Sequence, residues 1–111
     1  SIMTISNLYI DQGTDFSTSI ELTDGDGELL DLTDCTASSQ IRKNYSSISE
    51  TSLDVTFHSD RSLGIITISL SNSVTASMEP GMYFYDLLLT TPSQKLRPIE
   101  GSVFVNPGVT K

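Results

Sequence analysis

The sequence is poor in the residues that carry most enzyme chemistry and most nucleic-acid binding. Its 111 residues include no Trp, one Cys, one His and six Lys or Arg. Phosphate backbones are bound mainly by Lys and Arg, and the only adjacent basic pair is Arg42–Lys43. We therefore expect no binding to nucleic acid or to an anionic membrane surface. No apolar run approaches the ~18 residues that a membrane-spanning helix needs.

The single cysteine, Cys35, excludes an intramolecular disulfide and favours assembly in a reducing compartment. It alternates with Ala37 and Ile41, which predicts a small buried hydrophobe. A catalytic thiol would need His58 as its base, and no motif places the two together. His58 also has no second His or Cys nearby in the sequence, as a zinc site would require. We therefore predict no catalytic residue, no cofactor and no metal ion.

Small polar residues and acids take the place of the missing types. There are 18 Ser and 13 Thr, and the formal net charge is -8. Residues 1–34 hold eight acids and no Lys or Arg, so the whole net charge lies in the first third of the chain. Such a segment is either a solvated surface that keeps the domain soluble or a patch that meets a basic partner.

The dominant hydrophobic period is two, which predicts strands. Residues 71–79 break this period, and we expect one short helical turn there, capped by Ser71 or Asn72. Short strands with turns every 8–12 residues are typical of an all-β sandwich. We predict one domain, residues 1–111, with about seven antiparallel strands and a frayed tail at 106–111. The predicted strands are 3–11, 15–23, 35–43, 52–58, 65–70, 82–90 and 95–105. Between the second and third of these, residues 29–32 are predicted to form a short strand or a bridging segment.

Two segments have a specific local interpretation. Gly81 precedes Tyr83 at the start of a hydrophobic strand, which predicts a tyrosine corner formed by the Tyr83 hydroxyl. The segment 24–28 (Asp-Gly-Asp-Gly-Glu) suggests calcium at first sight. An EF-hand loop needs an acid at position one when glycine stands at position six, and counting back from either glycine reaches Leu22 or Ile20. We therefore predict a hairpin turn.

The best candidates for an interface are charged and aromatic residues in turns. Tyr45 stands in a polar loop beside Arg42–Lys43, and aromatic residues and Arg are enriched at interfaces. Tyr9 and Tyr45 could alternatively form a platform on which sugar rings stack. The candidate interface residues are Asp24, Asp26, Glu28, Arg42, Lys43 and Tyr45.

Three stretches of the sequence are specific enough to compare with known families: Leu-Asp-Leu-Thr at 30–33, Gln-Ile-Arg-Lys at 40–43 and Pro-Gly-Met-Tyr-Phe-Tyr-Asp at 80–86. In these stretches the chain resembles a family of small virion proteins of tailed bacteriophages. It is similar to the immunoglobulin-like N-terminal module of phage baseplate upper proteins. One departure is Asp34-Cys35, where the family pattern has Gly-Tyr. A glycine there would allow a positive φ, which Asp can partly mimic. The other stretches that carry the resemblance are 10–13, 64–70 and 100–105.

The resemblance implies an immunoglobulin-like β-sandwich that is a non-enzymatic structural component of the virion, assembled in the host cytoplasm. Its place would be the tail, baseplate or neck, as an adaptor or assembly subunit. Its expected partners are other virion proteins and copies of itself in a symmetric assembly. A capsid-surface decoration protein is the alternative within the same fold. A carbohydrate-binding or adhesion module is the alternative from a different class.

Overall fold

The chain forms eight β-strands and two short helices in a computed structural model, which describes residues 4–43 and 50–108. One helix is α1 (Asn72–Ser77), inside the predicted segment 71–79, and the other is a one-turn 3-10 helix at Arg61–Leu63. The strands are β1 (Thr4–Ile5), β2 (Leu8–Asp11), β3 (Phe16–Glu21), β4 (Thr36–Arg42), β5 (Glu50–Phe57), β6 (Ile65–Leu70), β7 (Gly81–Thr90) and β8 (Lys95–Asn106).

The strands form one mixed, continuous ribbon. Its order is β1-β8-β7-β4-β5-β6-β3, and β2 also pairs with β8, beyond β1. All pairs are antiparallel except those of β1 and β2 with β8, which are parallel. The expectation of an all-antiparallel arrangement is therefore wrong at this edge. The alternation of buried and exposed side chains is the same in both directions, so the hydrophobic period could not reveal it.

β5 joins the two parts of the ribbon. Its first half pairs with β4, as Leu53 opposite Ser39 shows, and its second half pairs with β6, as Val55 opposite Ile68 shows. The ribbon bends at this strand, so side chains from both parts enter one hydrophobic core. Ile10, Ile41, Ile66, Leu87 and Val103 each come from a different strand of this core, and each is at most 1% exposed.

The predicted first strand, 3–11, is interrupted at Ser6 and Asn7. The Asn7 side-chain oxygen accepts a hydrogen bond from the Ser102 amide at 3.0 Å, where a strand would use its backbone. A Cβ atom at Gly101 would collide with the Ser6 carbonyl oxygen. The buried Tyr85 donates its hydroxyl to the same oxygen at 2.6 Å. Gly101 and Tyr85 therefore fix the path of the chain into β2.

The predicted caps and turns are confirmed in part. Ser71 holds the N-cap position of α1, but its side chain makes no capping bond. Instead, the Asp15 carboxylate accepts from the Asn72 amide at 2.8 Å. Asp34 adopts a φ of 61°, the left-handed conformation that the departure from the family pattern predicts. The segment 29–32 is a bridging segment rather than a strand: an isolated bridge joins Leu29 to Thr23, and the Leu30 amide donates to the Leu22 carbonyl oxygen at 2.9 Å.

The tail differs from the expectation at its beginning. Asn106 is the last residue of β8 and pairs with Asp11. Beyond it, the Gly108 amide donates to the Gln12 side-chain oxygen at 3.0 Å. Fraying therefore does not begin at residue 106, and residues 109–111 lie outside the described part of the chain.

Candidate interaction surface

Two exposed apolar side chains, Tyr9 on β2 and Met82 on β7, lie on either side of the half-buried Phe104 on β8. Tyr9 is opposite Phe104, and Phe104 is opposite Met82. The rings of Tyr9 and Phe104 stack with centroids 5.4 Å apart and an interplanar angle of 16°. Tyr9 is 65% exposed and Met82 is 46% exposed. We call these three residues the apolar row.

The strand alternation explains why these side chains face solvent. Each neighbour in the chain points into the core: Leu8 and Ile10 flank Tyr9, while Val103 and Val105 flank Phe104. Successive side chains of a strand point to opposite faces, so the residues between buried positions face outward. Parallel pairing of β2 with β8 then places Tyr9 beside Phe104 rather than at a distant position.

Polar and charged side chains follow the apolar row along the same face. Phe84 lies opposite Arg42 on β4, and the Arg42 guanidinium donates to the Gln40 side-chain oxygen at 2.8 Å. Further along, Arg97 and Asp86 form an exposed ion pair at 3.0 Å. This part of the face holds a cleft of about 180 Å³. The face is therefore apolar at one end and charged at the other.

The acidic segment 24–28 is a closed turn, as predicted. The Asp24 carboxylate accepts from the amides of Asp26 and Glu28 at 2.8 and 3.0 Å. Gly27 takes the positive φ of 82° that the turn requires. Asp26 and Glu28 are exposed. The turn borders a cleft of about 220 Å³ whose other wall includes Leu96.

The basic half of the predicted interface stands at the other end of β4. The Lys43 ammonium lies 4.5 Å from the centre of the Tyr83 ring, a cation–π contact. Arg42 ends β4, whereas Thr36 begins it at the level of Thr90, close to the acidic turn. Six residues of strand span roughly 20 Å. The two halves therefore do not form one patch on a single copy, and Tyr45 lies outside the described residues.

The predicted tyrosine corner is confirmed, and Tyr85 lies in the core. The Tyr83 hydroxyl donates to the Glu79 carbonyl oxygen at 2.7 Å, and Tyr85 is 4% exposed. Burial raises the pKa of both phenols, and the nearby Glu79 carboxylate adds to this for Tyr83. Both hydroxyls thus stay protonated and act as donors over the ordinary pH range.

Cys35 and His58 have structural surroundings. Cys35 is 5% exposed, as predicted for a small buried hydrophobe, and burial raises the pKa of its thiol. Its carbonyl oxygen accepts from the Arg61 guanidinium at 2.9 Å. His58 Nδ1 accepts from the Asp60 amide at 2.9 Å. Within residues 4–43 and 50–108, no three His, Cys, Asp or Glu side chains are grouped as a metal site would need.

The chain matches no protein-family model and no curated protein. Its fold is similar to part of InlP from Listeria monocytogenes, with 16% identity and a TM-score of 0.50 over 91% of this chain and 26% of InlP. The Lin-41 filamin domain matches 88% of the chain over 82% of its own length, with 18% identity and a TM-score of 0.47. A family 123 glycoside hydrolase from Clostridium perfringens matches 96% of the chain over 23% of its own length, with 14% identity and a TM-score of 0.44.

These similarities concern the fold alone and assign no activity. The chain spans about a quarter of the length of InlP. Among the described residues, no helix has the length and apolar character needed to cross a membrane.

Sequence reasoning did not find the apolar row. Tyr9 is one of four tyrosines that could form a sugar-stacking platform or an interface anchor, and nothing in the sequence pairs it with Phe104. Met82 belongs to a predicted strand, 82–90, that is apolar on both faces, so its exposure gives no sequence signal. Phe104 gave no signal, because its role depends on its neighbours in β2 and β7. A search for outward aromatic residues on several strands could have singled out Tyr9 and Phe104. Only the strand register shows that the two residues are neighbours.

Proposed function

We propose that this chain is a non-enzymatic structural subunit of a tailed-phage particle, placed in the tail, baseplate or neck. The observation that carries the proposal is the apolar row, which offers neighbouring proteins a rigid apolar contact. The subunit needs no cofactor or metal, and it binds proteins rather than nucleic acid or membrane. Its site of action is the virion.

The apolar row has the properties of a contact surface. Single exposed hydrophobic residues are normal, whereas a contiguous exposed apolar patch marks an interaction site. Two of its members are aromatic and one is Met, which are the types enriched at interfaces. All three stand on paired strands, and Tyr9 and Phe104 have a buried residue on each side, so docking would order little new structure and lose little entropy.

An immunoglobulin-like sandwich is the finer form of the fold that we propose. In such a fold, B and E pair in one sheet and C, F and G in the other. β3 and β6 pair here, and β4, β7 and β8 are consecutive neighbours, which supports that assignment. The bond from Tyr83 to Glu79 corresponds to the tyrosine corner at the start of strand F. The resemblance to baseplate upper proteins points the same way.

Quantitative mass spectrometry of gradient-purified phage particles tests the proposal. We expect a copy number that is a small multiple of the tail's rotational symmetry. A copy number near that of the major capsid protein would favour the decoration alternative and overturn a tail, baseplate or neck position. Absence from the particles would overturn the virion proposal altogether.

One observation favours a second candidate, a carbohydrate-binding module. Tyr9 is exposed and stacked on Phe104, and an exposed aromatic ring can hold the apolar face of a sugar. A glycan array with the wild-type chain and the Tyr9→Ala variant tests this candidate. Binding that Tyr9→Ala abolishes would support it, and absence of any glycan binding would overturn it.

A further inference from the structure

We propose that the apolar row binds the same row of a second copy of this chain, across a two-fold axis that runs along the row. This inference rests on the proposed function, because it names the partner of the same surface. The axis places Tyr9 against Tyr9, Phe104 against Phe104 and Met82 against Met82. Such a contact is isologous, so one apolar patch satisfies both copies.

The residues that flank the row are complementary under this rotation. At the level of Phe84, one flank holds Ser102 and Asn7; the other flank holds Asn106 and Asp11, which pair with each other. The rotation exchanges the two flanks. It brings the Asp11 carboxylate to the level of the second copy's Asn7 amide, and Asn106 to the level of its Ser102. Each of these polar side chains then faces a hydrogen-bond donor or acceptor of the second copy, and no carboxylate faces another carboxylate.

Charge selects this axis over the other in-plane axis. A two-fold axis along the strands would also stack the row, but it would place Glu100 opposite Glu100 of the second copy. Like charges placed opposite each other are destabilising. Rotation about an axis along the row instead places Glu100 and Asp86 of the two copies on opposite sides of the row, because both acids lie four residues from the row along their strands.

The size and charge of the surface predict a weak dimer that salt strengthens. A standard interface buries about 800 Å² on each partner, and a patch based on three side chains and their flanks is smaller. Each copy carries a net charge of -8, so two copies repel each other at low ionic strength. We expect a dissociation constant of about 10–100 µM, and a lower dissociation constant at higher salt. In a particle, neighbouring attachment points would raise the effective concentration.

Sedimentation equilibrium of the purified chain over about 1 µM to 1 mM tests the dimer. We expect reversible dimerisation, weakened about tenfold or more by Met82→Ser, because this change removes apolar area from the contact. Leu29→Ser is the matched control, since Leu29 is 43% exposed and Met82 is 46% exposed. It should leave dimerisation unchanged. A monomer at every concentration, or equal effects of the two variants, would overturn the inference.

Cross-linking tests the direction of the axis. Facing sheets lie about 10 Å apart, so a short bis-maleimide can join two cysteines that stand opposite each other. Tyr9→Cys should cross-link to itself. A mixture of Tyr9→Cys and Met82→Cys that cross-links only between the two variants would overturn the proposed axis. Ser19→Cys, on β3 far from the row, and the wild type with its buried Cys35 are the controls that should stay monomeric.

The dimer and the proposed function can fail separately. If the chain occurs in particles at a tail-like copy number but never dimerises, the row binds another virion protein and only this inference is overturned. If it dimerises through the row but is absent from particles, the inference stands and the proposed function is overturned.

Discussion

The two outer faces of the ribbon differ in the chemistry of their cross-strand contacts. On β2, β8 and β7, Tyr9 and Phe104 stack in the apolar row. On β3 and β6, the hydroxyl groups of Ser19 and Thr67 form a cross-strand hydrogen bond of 2.9 Å. We call this second surface, with its neighbours Ser17 opposite Ser69 and Thr56 opposite Thr67, the hydroxyl face.

The comparison separates what folding requires from what binding requires. The inner sides of both parts fill the same core, with Ile66 and Val103 each fully buried. The outer sides are free of this demand. Hydroxyl pairs remain well solvated and satisfy each other, so the hydroxyl face suits a surface that stays wet. Apolar side chains that face water do not stabilise a single copy of the chain, so the apolar row favours a role in contact with another protein.

The apolar row includes Tyr9 on the edge strand β2, and a substitution at Gly101 should displace this strand from β8. In Gly101→Ala, the added Cβ would collide with the Ser6 carbonyl oxygen, so the chain must shift away from β8. We expect a loss of about 2–4 kcal/mol in the free energy of unfolding, measured by urea denaturation. Amide exchange of Leu8 and Ile10 should accelerate, whereas exchange on the hydroxyl face should not.

Gly27→Ala is the control for this prediction. Unlike Gly101, Gly27 has a positive φ, 82°, and an added Cβ there would meet nothing within 4 Å. We expect a loss of only about 1 kcal/mol there, from backbone strain alone. Equal losses for the two variants would show that the contact with Ser6 does not support the edge.

A smaller loss of stability is expected on removal of the hydroxyl group that donates to the same Ser6 carbonyl oxygen. Tyr85→Phe removes the donor to the Ser6 oxygen at a position that is 4% exposed. Removing this donor from the half-buried Ser6 carbonyl should cost about 1–2 kcal/mol in the free energy of unfolding. Tyr83→Phe removes the corresponding bond to Glu79 at the surface, where water can replace it, and should cost about 0.5–1 kcal/mol. Urea unfolding of both variants checks the order, and the reverse order would contradict it.

The sequence predicts the strands of both faces but not the difference between them. The alternation around Leu8, Ile10 and Val103 is enough to place β2 and β8 and to identify their buried side. It cannot show that Tyr9 and Phe104 are neighbours, since this depends on parallel pairing between the two ends of the chain. The N-terminal capping contact of α1 was missed for a related reason. Asp15, not Ser71, accepts from Asn72, and a cap from a distant segment leaves no local pattern.

The smallest predicted effect concerns pH and the end of the ribbon away from the apolar row. Hydrogen bonds from the side chain and backbone of Ser62 lower the pKa of Asp60, in the turn between β5 and β6. The pKa of Asp31 is lowered in the same way by Thr33. A carboxyl group with a lowered folded-state pKa stabilises the fold fully above its unfolded-state pKa, about 3.9. That contribution is lost as the pH falls through the folded-state pKa.

Asp60→Asn should therefore flatten part of the decline in unfolding free energy below about pH 5, measured by urea denaturation at a series of pH values. Ser62→Ala should flatten the same part, because it removes the hydroxyl donor while leaving the carboxyl group in place. Tyr9→Ser removes no carboxyl group, so its pH profile should keep the wild-type slope. If Tyr9→Ser flattened the profile as much as Asp60→Asn does, acid sensitivity would belong to the apolar row's surface as well. The two ends of the ribbon would then not be independent.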